Sequence, residues 1–402
     1  MAVESPAHIV VVGAGTIGIE AALYARFLGY QVTLLDSGDV GASLRKWGHV
    51  RMFTPFGANC TRLGRSALAA QYDDPALPPD DQYVTAGEYL DKYLQPLAES
   101  DLVANCVKRH HTVVSIARSS QTKTENLGLP ERGETPLITL AKDQQGHEHV
   151  FESDIVLDCS GVGGQPNFIG GGGSPAVGEL AARPHFETGL IDASGQDANR
   201  FANQQILVIG AGHSAATNIC QLSVLARETL ETHVTWVTRE AKANGQTGPV
   251  AVIQDDPLPQ RKHLAGEANQ LIVDEAGHLD HWPETTVKSI HFEPQNSHFH
   301  VTLDGKHAGI HTFDRVVANV GYRPNLEMLK ELQLDLCPHT DGIKSLIQPE
   351  PNFYLLGSKS YGRDSSYLVA DGFDQIRRVF AIIGDRENLD LYAEPPGSSN
   401  LA

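Results

Sequence analysis

The chain has 402 residues, of which 41% are hydrophobic and 20% charged, and its formal net charge is −18. That length exceeds one typical domain and suffices for two sizeable cores, and the acidic balance argues against nucleic acid or an anionic membrane surface as a general partner. No apolar run approaches the roughly 18 residues of a membrane span, and the opening MAVESPAH lacks a secretion pattern, so a cytoplasmic location is expected.

In chain order, the β-branched run His8 to Val12 meets glycines at Gly13, Gly15 and Gly18. An apolar helical stretch follows, and then a second β-rich run, Gln31 to Leu35, ending at Asp36. Each residue has a use in binding a dinucleotide. Gly13 turns the chain out of the strand, Gly15 allows a pyrophosphate near the backbone, and Gly18 lets the helix pack on the sheet. Thr16 and Ile17 open that helix, whose free N–H groups attract phosphate. Asp36 is placed to accept hydrogen bonds from ribose hydroxyls, with Ser37 beside it.

Glycines and a proline then predict loop from Ser37 to about residue 68, after a strand end where ligand crevices form. Trp47, Arg51 and Cys60 are candidates there. Tyr89, Leu90, Tyr93 and Leu97 have helical spacing over 86–98. A meander is predicted over 112–117, 137–142 and 149–158, ending in DIVLDCSG with Gly161 at its tip.

After a glycine-dense stretch the opening pattern repeats in QQILVIGAGHSAATNICQL. Gly210 and Gly212 match the first two glycines, His213 and Ser214 open the helix, and Ala215 or Ala216 stands for the third glycine. The second strand of this unit ends at Thr238 and Arg239 instead of an acid. A guanidinium grips a 2′-phosphate that a carboxylate would repel, so NADPH is expected over NADH. A second meander is predicted over 287–292 and 298–303, then FDRVVANVGYRPN, a strand at 353–356 turning at Gly357, and a helix over 371–383 carrying Gln375.

Cys60, Cys106, Cys159, Cys220 and Cys337 are scattered and odd in number, which suits a reducing compartment without structural disulfides. No cysteine or histidine cluster has metal-ligand spacing, so no metal is expected.

Two dinucleotide motifs, the strand ends DIVLDCSG and DRVVANVGYRPN, and a late glycine before a final helix resemble the two-dinucleotide-domain flavoproteins. That superfamily includes pyridine nucleotide-disulfide reductases, thioredoxin reductases and class B flavin monooxygenases. The resemblance implies an α/β fold of two Rossmann-like dinucleotide-binding domains, each with a small β-meander, the second inserted in the first. An FAD domain would span 1–165 and 315–402, and an NADPH domain 166–314. It implies that Gly13, Gly15, Gly18 and Asp36 hold FAD, that Gly210, Gly212, Ser214 and Arg239 hold NADPH, and that the segment from Gly357 to Gln375 closes over the flavin, aided by the dipole of a helix starting after Gly357.

The chain departs from these families in having no paired cysteines, Ser358 where an aspartate is usual, and Ser174 where the monooxygenase fingerprint has histidine. Three activities remain open. The first is NADPH-driven oxygenation of a small organic substrate by O₂. The second is reduction of a disulfide, persulfide or other small acceptor, with Cys60 as the thiol. The third is non-catalytic redox sensing. Arg51, Tyr361 and Arg363 are candidate substrate contacts. The expected partner is a small molecule, with a homodimer compatible with the sequence and no nucleic acid or membrane involved.

Overall fold

A computed structural model describes residues 3–243, 248–274 and 277–393. The chain divides into two compact units, one made of Met1–Gly48, Pro55–Gln165 and Arg323–Ala402, the other of His49–Thr54 and Pro166–Tyr322.

The first unit is built on five parallel strands. These are β1 (His8–Val12), β2 (Gln31–Leu35), β3 (Val107–Lys108), β7 (Ile155–Asp158) and β15 (Phe353–Leu355), in the order β15-β7-β1-β2-β3. An antiparallel meander of β4 (Thr112–Arg118), β5 (Leu137–Lys142) and β6 (Glu148–Ser153) forms a separate sheet. Residues of alternate facing on the parallel strands, Val10, Val12, Leu35, Val156 and Leu355, pack with Ile116, Leu137 and Ala141 of the meander. Helix α1 (Thr16–Phe27) packs with a C-terminal helix, and Tyr24 stacks on Phe380 with ring centroids 4.8 Å apart.

The strand expected over 149–158 is two strands. Asp154 breaks it: its carboxylate accepts the N–H of His8 at 2.8 Å and its own N–H donates to the carbonyl of His8 at 3.0 Å, carrying the chain from the meander into the parallel sheet. The predicted loop contains helix α2 (Arg62–Gln71), capped by the Thr61 hydroxyl, which accepts the Gly64 N–H at 2.9 Å. The helix expected over 86–98 forms with a π turn at Leu90–Leu94.

In the second unit, β8 (Gln205–Ile209), β9 (His233–Val237), β10 (Leu279–Trp282) and β14 (Arg315–Ala318) form a parallel sheet in the order β10-β9-β8-β14. Ile206, Val208, Val234 and Trp236 share one core with residues of α3 (His213–Glu228) and α4 (Pro259–Val273). Leu207, Ile209 and Val237 share the other with the meander β11 (Thr285–Glu293), β12 (His298–Gly305) and β13 (Gly309–Phe313). The two faces follow the period of two along a strand. Because β14 pairs with β8 from Arg315↔Ile206 to Ala318↔Ile209, the unit extends to Tyr322, past the boundary expected at 314.

In the first unit, Glu350 lies between two arginines. Its Oε1 accepts from Arg118 Nε at 2.7 Å and its Oε2 from Arg132 Nε at 2.8 Å, with all three side chains fully buried. Removing one member of such a group leaves uncompensated charge. Glu350→Ala is therefore expected to lower unfolding free energy by about 3–5 kcal/mol, measured by denaturant titration.

Candidate functional site

At the first glycine turn Gly13 has φ +102°, and a Cβ there would stand 2.7 Å from the carbonyl oxygen of Cys159. A Cβ on Gly18 would lie 1.7 Å from the carbonyl oxygen of Gly13, so these two glycines let strand, turn and helix close on one another. Gly15, the N-cap of α1, is different: nothing lies within 4 Å of a Cβ built on it. The open space sits over the unpaired N–H groups opened by Thr16 and Ile17, where backbone donors and the helix dipole favour phosphate.

Asp36 stands at the end of β2. Its Oδ2 accepts the Ala14 N–H at 2.6 Å and its Oδ1 the Gly38 N–H at 2.7 Å. A carboxylate has about four acceptor positions, which leaves capacity for ribose hydroxyls. Ser37 beside it is exposed and Trp47 half-buried.

Gly161, with φ +68°, follows β7, and a Cβ there would meet Ser358 Oγ at 3.5 Å. Gly357, with φ +70°, donates its N–H to Gln375 Oε1 at 2.8 Å, and Gln375 Nε2 donates to Ser360 Oγ at 2.8 Å. The helix directly after Gly357 is one turn, α5 (Ser358–Tyr361), and the long helix α6 runs Val369–Ile383. The sustained dipole therefore starts at Val369, because Gly362, with φ +67°, ends the first turn.

Sequence reasoning missed Lys359. Its ammonium is fully buried and donates to Asp158 Oδ2 at 2.7 Å and to Ser160 Oγ at 3.1 Å. The signal available was an acid ending the apolar run IVLD, with a lone lysine among the small residues after Gly357. The pair joins the carboxyl ends of β7 and β15 beside the Gly13 turn.

The second unit repeats the first. Gly210 has φ +124°, and a Cβ on it would lie 2.2 Å from the carbonyl oxygen of Asn319, whereas Gly212 at the N-cap of α3 again has nothing within 4 Å. Trp236, also missed, is buried in β9 and donates its indole N–H to the Gly210 carbonyl at 2.7 Å. His213 opens α3 with its ring edge-on to Phe53 at 5.9 Å; burial, then Arg261, holds its imidazole below the usual range. Ser214 is half-buried and Ala215 buried. Thr238 is buried, with its hydroxyl bonded to the Glu240 carbonyl at 2.6 Å and paired with His281 Nε2 at 2.8 Å, leaving Arg239 exposed at the strand end.

Cys60 is half-buried in the first unit. Burial pushes its thiol strongly up, and nearby Arg65 only partly offsets this, so the thiol form dominates at neutral pH. Of the suggested substrate contacts, Arg51 is an exposed residue of the second unit, whereas Tyr361 and Arg363 belong to the first, where Arg363 pairs with Asp341 at 2.8 Å. Among the described residues no cluster suits a metal ion, and no helix is long and apolar enough to cross a membrane.

Residues 10–125 match the pyridine nucleotide-disulphide oxidoreductase family. Similar solved structures cover nearly the whole chain. The bacillithiol disulfide reductase Bdr from Bacillus cereus has a TM-score of 0.70 at 14% identity, covering 94% of this chain and 99% of that one. The FAD-bound cadaverine monooxygenase DfoA from Erwinia amylovora has a TM-score of 0.67 at 13% identity, covering 98% of each chain. The chain has the fold of the two-dinucleotide-domain flavoproteins. A third structure of that fold, the flavin-containing monooxygenase from Stenotrophomonas maltophilia, has a TM-score of 0.58 at 20% identity, covering 94% of this chain and 98% of that one. No curated protein matches in sequence.

The two kinds of flavoprotein-fold glycine make separable predictions. Gly15→Ala should fold with an unchanged melting temperature and bind dinucleotide at least tenfold more weakly, because the methyl enters only open space. Gly13→Ala should lose several degrees of melting temperature as well, because it strains the turn itself. Thermal melts beside a dinucleotide titration check both.

Proposed function

We propose that the chain is an FAD-dependent, NADPH-using oxidoreductase that oxygenates a small organic substrate. The balanced reaction takes substrate, O₂, NADPH and a proton to oxygenated substrate, water and NADP⁺. Support for two cofactors comes from the repeated open cradle at Gly15 and Gly212, combined with opposite charges at the ends of the second strands, Asp36 in one unit and Arg239 in the other. Bound flavin supplies acceptance of hydride and exchange with oxygen.

The chain's own residues bind and orient. Gly15 leaves room for the FAD pyrophosphate, Asp36 accepts ribose hydroxyls, and Gln375 fixes the Gly357 turn. Gly212 and the start of α3 take the NADPH pyrophosphate, and the exposed Arg239 takes the 2′-phosphate. FAD thus belongs to the first unit and NADPH to the second.

The observation that favours oxygen over sulfur as acceptor is the state of the cysteines. Burial pushes Cys60, Cys106, Cys159 and Cys220 up from the ordinary thiol range, whereas hydrogen bonds with His339 and Thr340 draw Cys337 down, and no two of the five are joined in a disulfide. A second reading, reduction of a small disulfide through Cys60, is supported by the bacillithiol disulfide reductases among the similar structures and by Arg65 beside the sulfur.

The deciding experiment is anaerobic reduction of the FAD-loaded protein by NADPH or NADH, followed by mixing with O₂ and assay of oxygenated product across amines, thioethers and ketones. Faster reduction by NADPH and oxygen-dependent product are expected. Product-free reoxidation with turnover of disulfides would overturn the oxygenase reading. Arg239→Ala is expected to raise KM for NADPH at least tenfold, about 1.4 kcal/mol, and to leave KM for NADH unchanged in steady-state assays. Cys60→Ser is expected to keep most oxygen-dependent NADPH oxidation and would abolish activity under the second reading.

A further inference from the structure

Helix α1 carries a side chain that the dinucleotide motif does not use. Glu20 is fully buried, its Oε1 accepting from the Tyr93 hydroxyl at 2.5 Å and its Oε2 from the Thr61 hydroxyl at 2.9 Å. The Thr61 N–H in turn donates to Tyr93 Oη at 3.1 Å. Tyr93 lies in the π turn Leu90–Leu94, a break in helical phase of the kind found at functional sites. One turn earlier the Tyr89 hydroxyl donates to the Asn59 carbonyl at 2.9 Å, and Phe56 stands edge-on to both tyrosine rings. A Cβ on Gly64 would lie 2.0 Å from Tyr93 Oη, so α2 closes the cluster with no room to spare. The Glu20 carboxyl thus ties Thr61, at the end of the Phe56–Thr61 segment and next to Cys60, to the helix that opens the first cradle.

Cys60, Tyr89, Tyr93 and Tyr392 all sense the Glu20 charge, and among the described residues no lysine, arginine or histidine stands within ion-pair distance of its carboxyl. Arg65 is engaged by Asp80 at 2.5 Å. Tyr392, from the C-terminal segment, has a buried hydroxyl with no hydrogen-bond partner among the described residues. Desolvation pushes the Glu20 carboxyl up to about 7 against the pull of the Tyr93 and Thr61 hydrogen bonds.

We propose that Glu20 is a proton-controlled fastener: protonated, it holds the Phe56–Thr61 segment against the cofactor-binding helix, and deprotonated, it lets that segment open. A buried ionised carboxylate that forms no ion pair must regain solvation. Helix α1 is held by the sheet, whereas the segment is a single 3-10 turn, Phe56–Asn59, with Cys60 and Thr61 after it, so the segment gives way and the proton passes to solvent. A carboxyl raised on folding binds its proton more tightly in the folded state. The stability it confers is therefore full below about pH 4.5 and fades as the pH climbs through 7. Its functional consequence rests on the reading of this unit as the flavin domain; the motion itself does not.

The test is amide hydrogen exchange over residues 56–64 of the full chain, loaded with FAD, at about pH 6 and about pH 8, corrected for intrinsic exchange. Protection is expected to fall about tenfold over that interval, the change set by one unit of pH beyond the midpoint. Glu20→Gln should flatten the dependence, and Tyr93→Phe, which removes a donor to the ionised form, should move the midpoint to higher pH. Equal protection at both pH values in the wild type, or an unchanged dependence in Glu20→Gln, would overturn the fastener. A chain that shows the dependence but never takes up FAD would overturn the flavin assignment alone.

Discussion

A parallel strand that must turn into a helix and still leave room for phosphate admits few solutions, and both units of this chain rest on the same one. At Gly13 and Gly210 the backbone bends into positive φ so tightly that a methyl group would strike the exit of a neighbouring strand, Cys159 in one unit and Asn319 in the other. Two residues on, Gly15 and Gly212 face open space. Crowding behind the turn and emptiness in front of it go together. The neighbouring strand pins the loop, so the helix N-terminus stays aimed at a fixed point with little ordering left for the ligand to impose.

The same repetition reaches parts of the fold that no motif describes. Each unit passes from meander to parallel sheet through one aspartate that bonds the first residue of the leading strand by both carboxylate and N–H: Asp154 with His8, Asp314 with Gln205. Each parallel sheet buries alternate residues against its meander. The units differ where they are charged: the first joins its strand ends through the buried Lys359–Asp158 pair, whereas the second ties α3 to the end of β14 through the amides of Asn218 and Asn319 at 2.8 Å.

Glycine spacing and β-branched runs were enough to read both turns and both second strands from the sequence, because strand, turn, helix and second strand follow one another within about thirty residues. Helix α2 was missed because its signal, Thr61 accepting from Gly64, is buried in a run rich in glycine and small residues that reads as loop. Asp154 was missed because it interrupts an apparently continuous β-rich stretch, and its partner lies 146 residues away. Lys359 and Glu20 escaped for the same reason, and Trp236 because an aromatic in a β-rich run reads as core alone. A charged or aromatic side chain gains its role from what surrounds it in space, and Glu20 within IGIEAAL looks like an ordinary polar position on an amphipathic helix. Arg51 was read as a candidate from its loop after the second strand, and chain position gave no way to see that it belongs to the second unit and Arg363 to the first.

The segment His49–Thr54 bears on what it means to isolate the second unit. It leaves a chain otherwise committed to the first unit, sets His49 Nε2 3.0 Å from the carbonyl oxygen of Ile191, and brings Phe53 against His213. A continuous piece cut at residues 166 and 322 would therefore lack part of its own surface, exposing the imidazole at the head of α3 and orphaning a carbonyl. The natural cut points of this protein are not its domain boundaries, and a recombined or permuted chain would have to carry those six residues along as a graft.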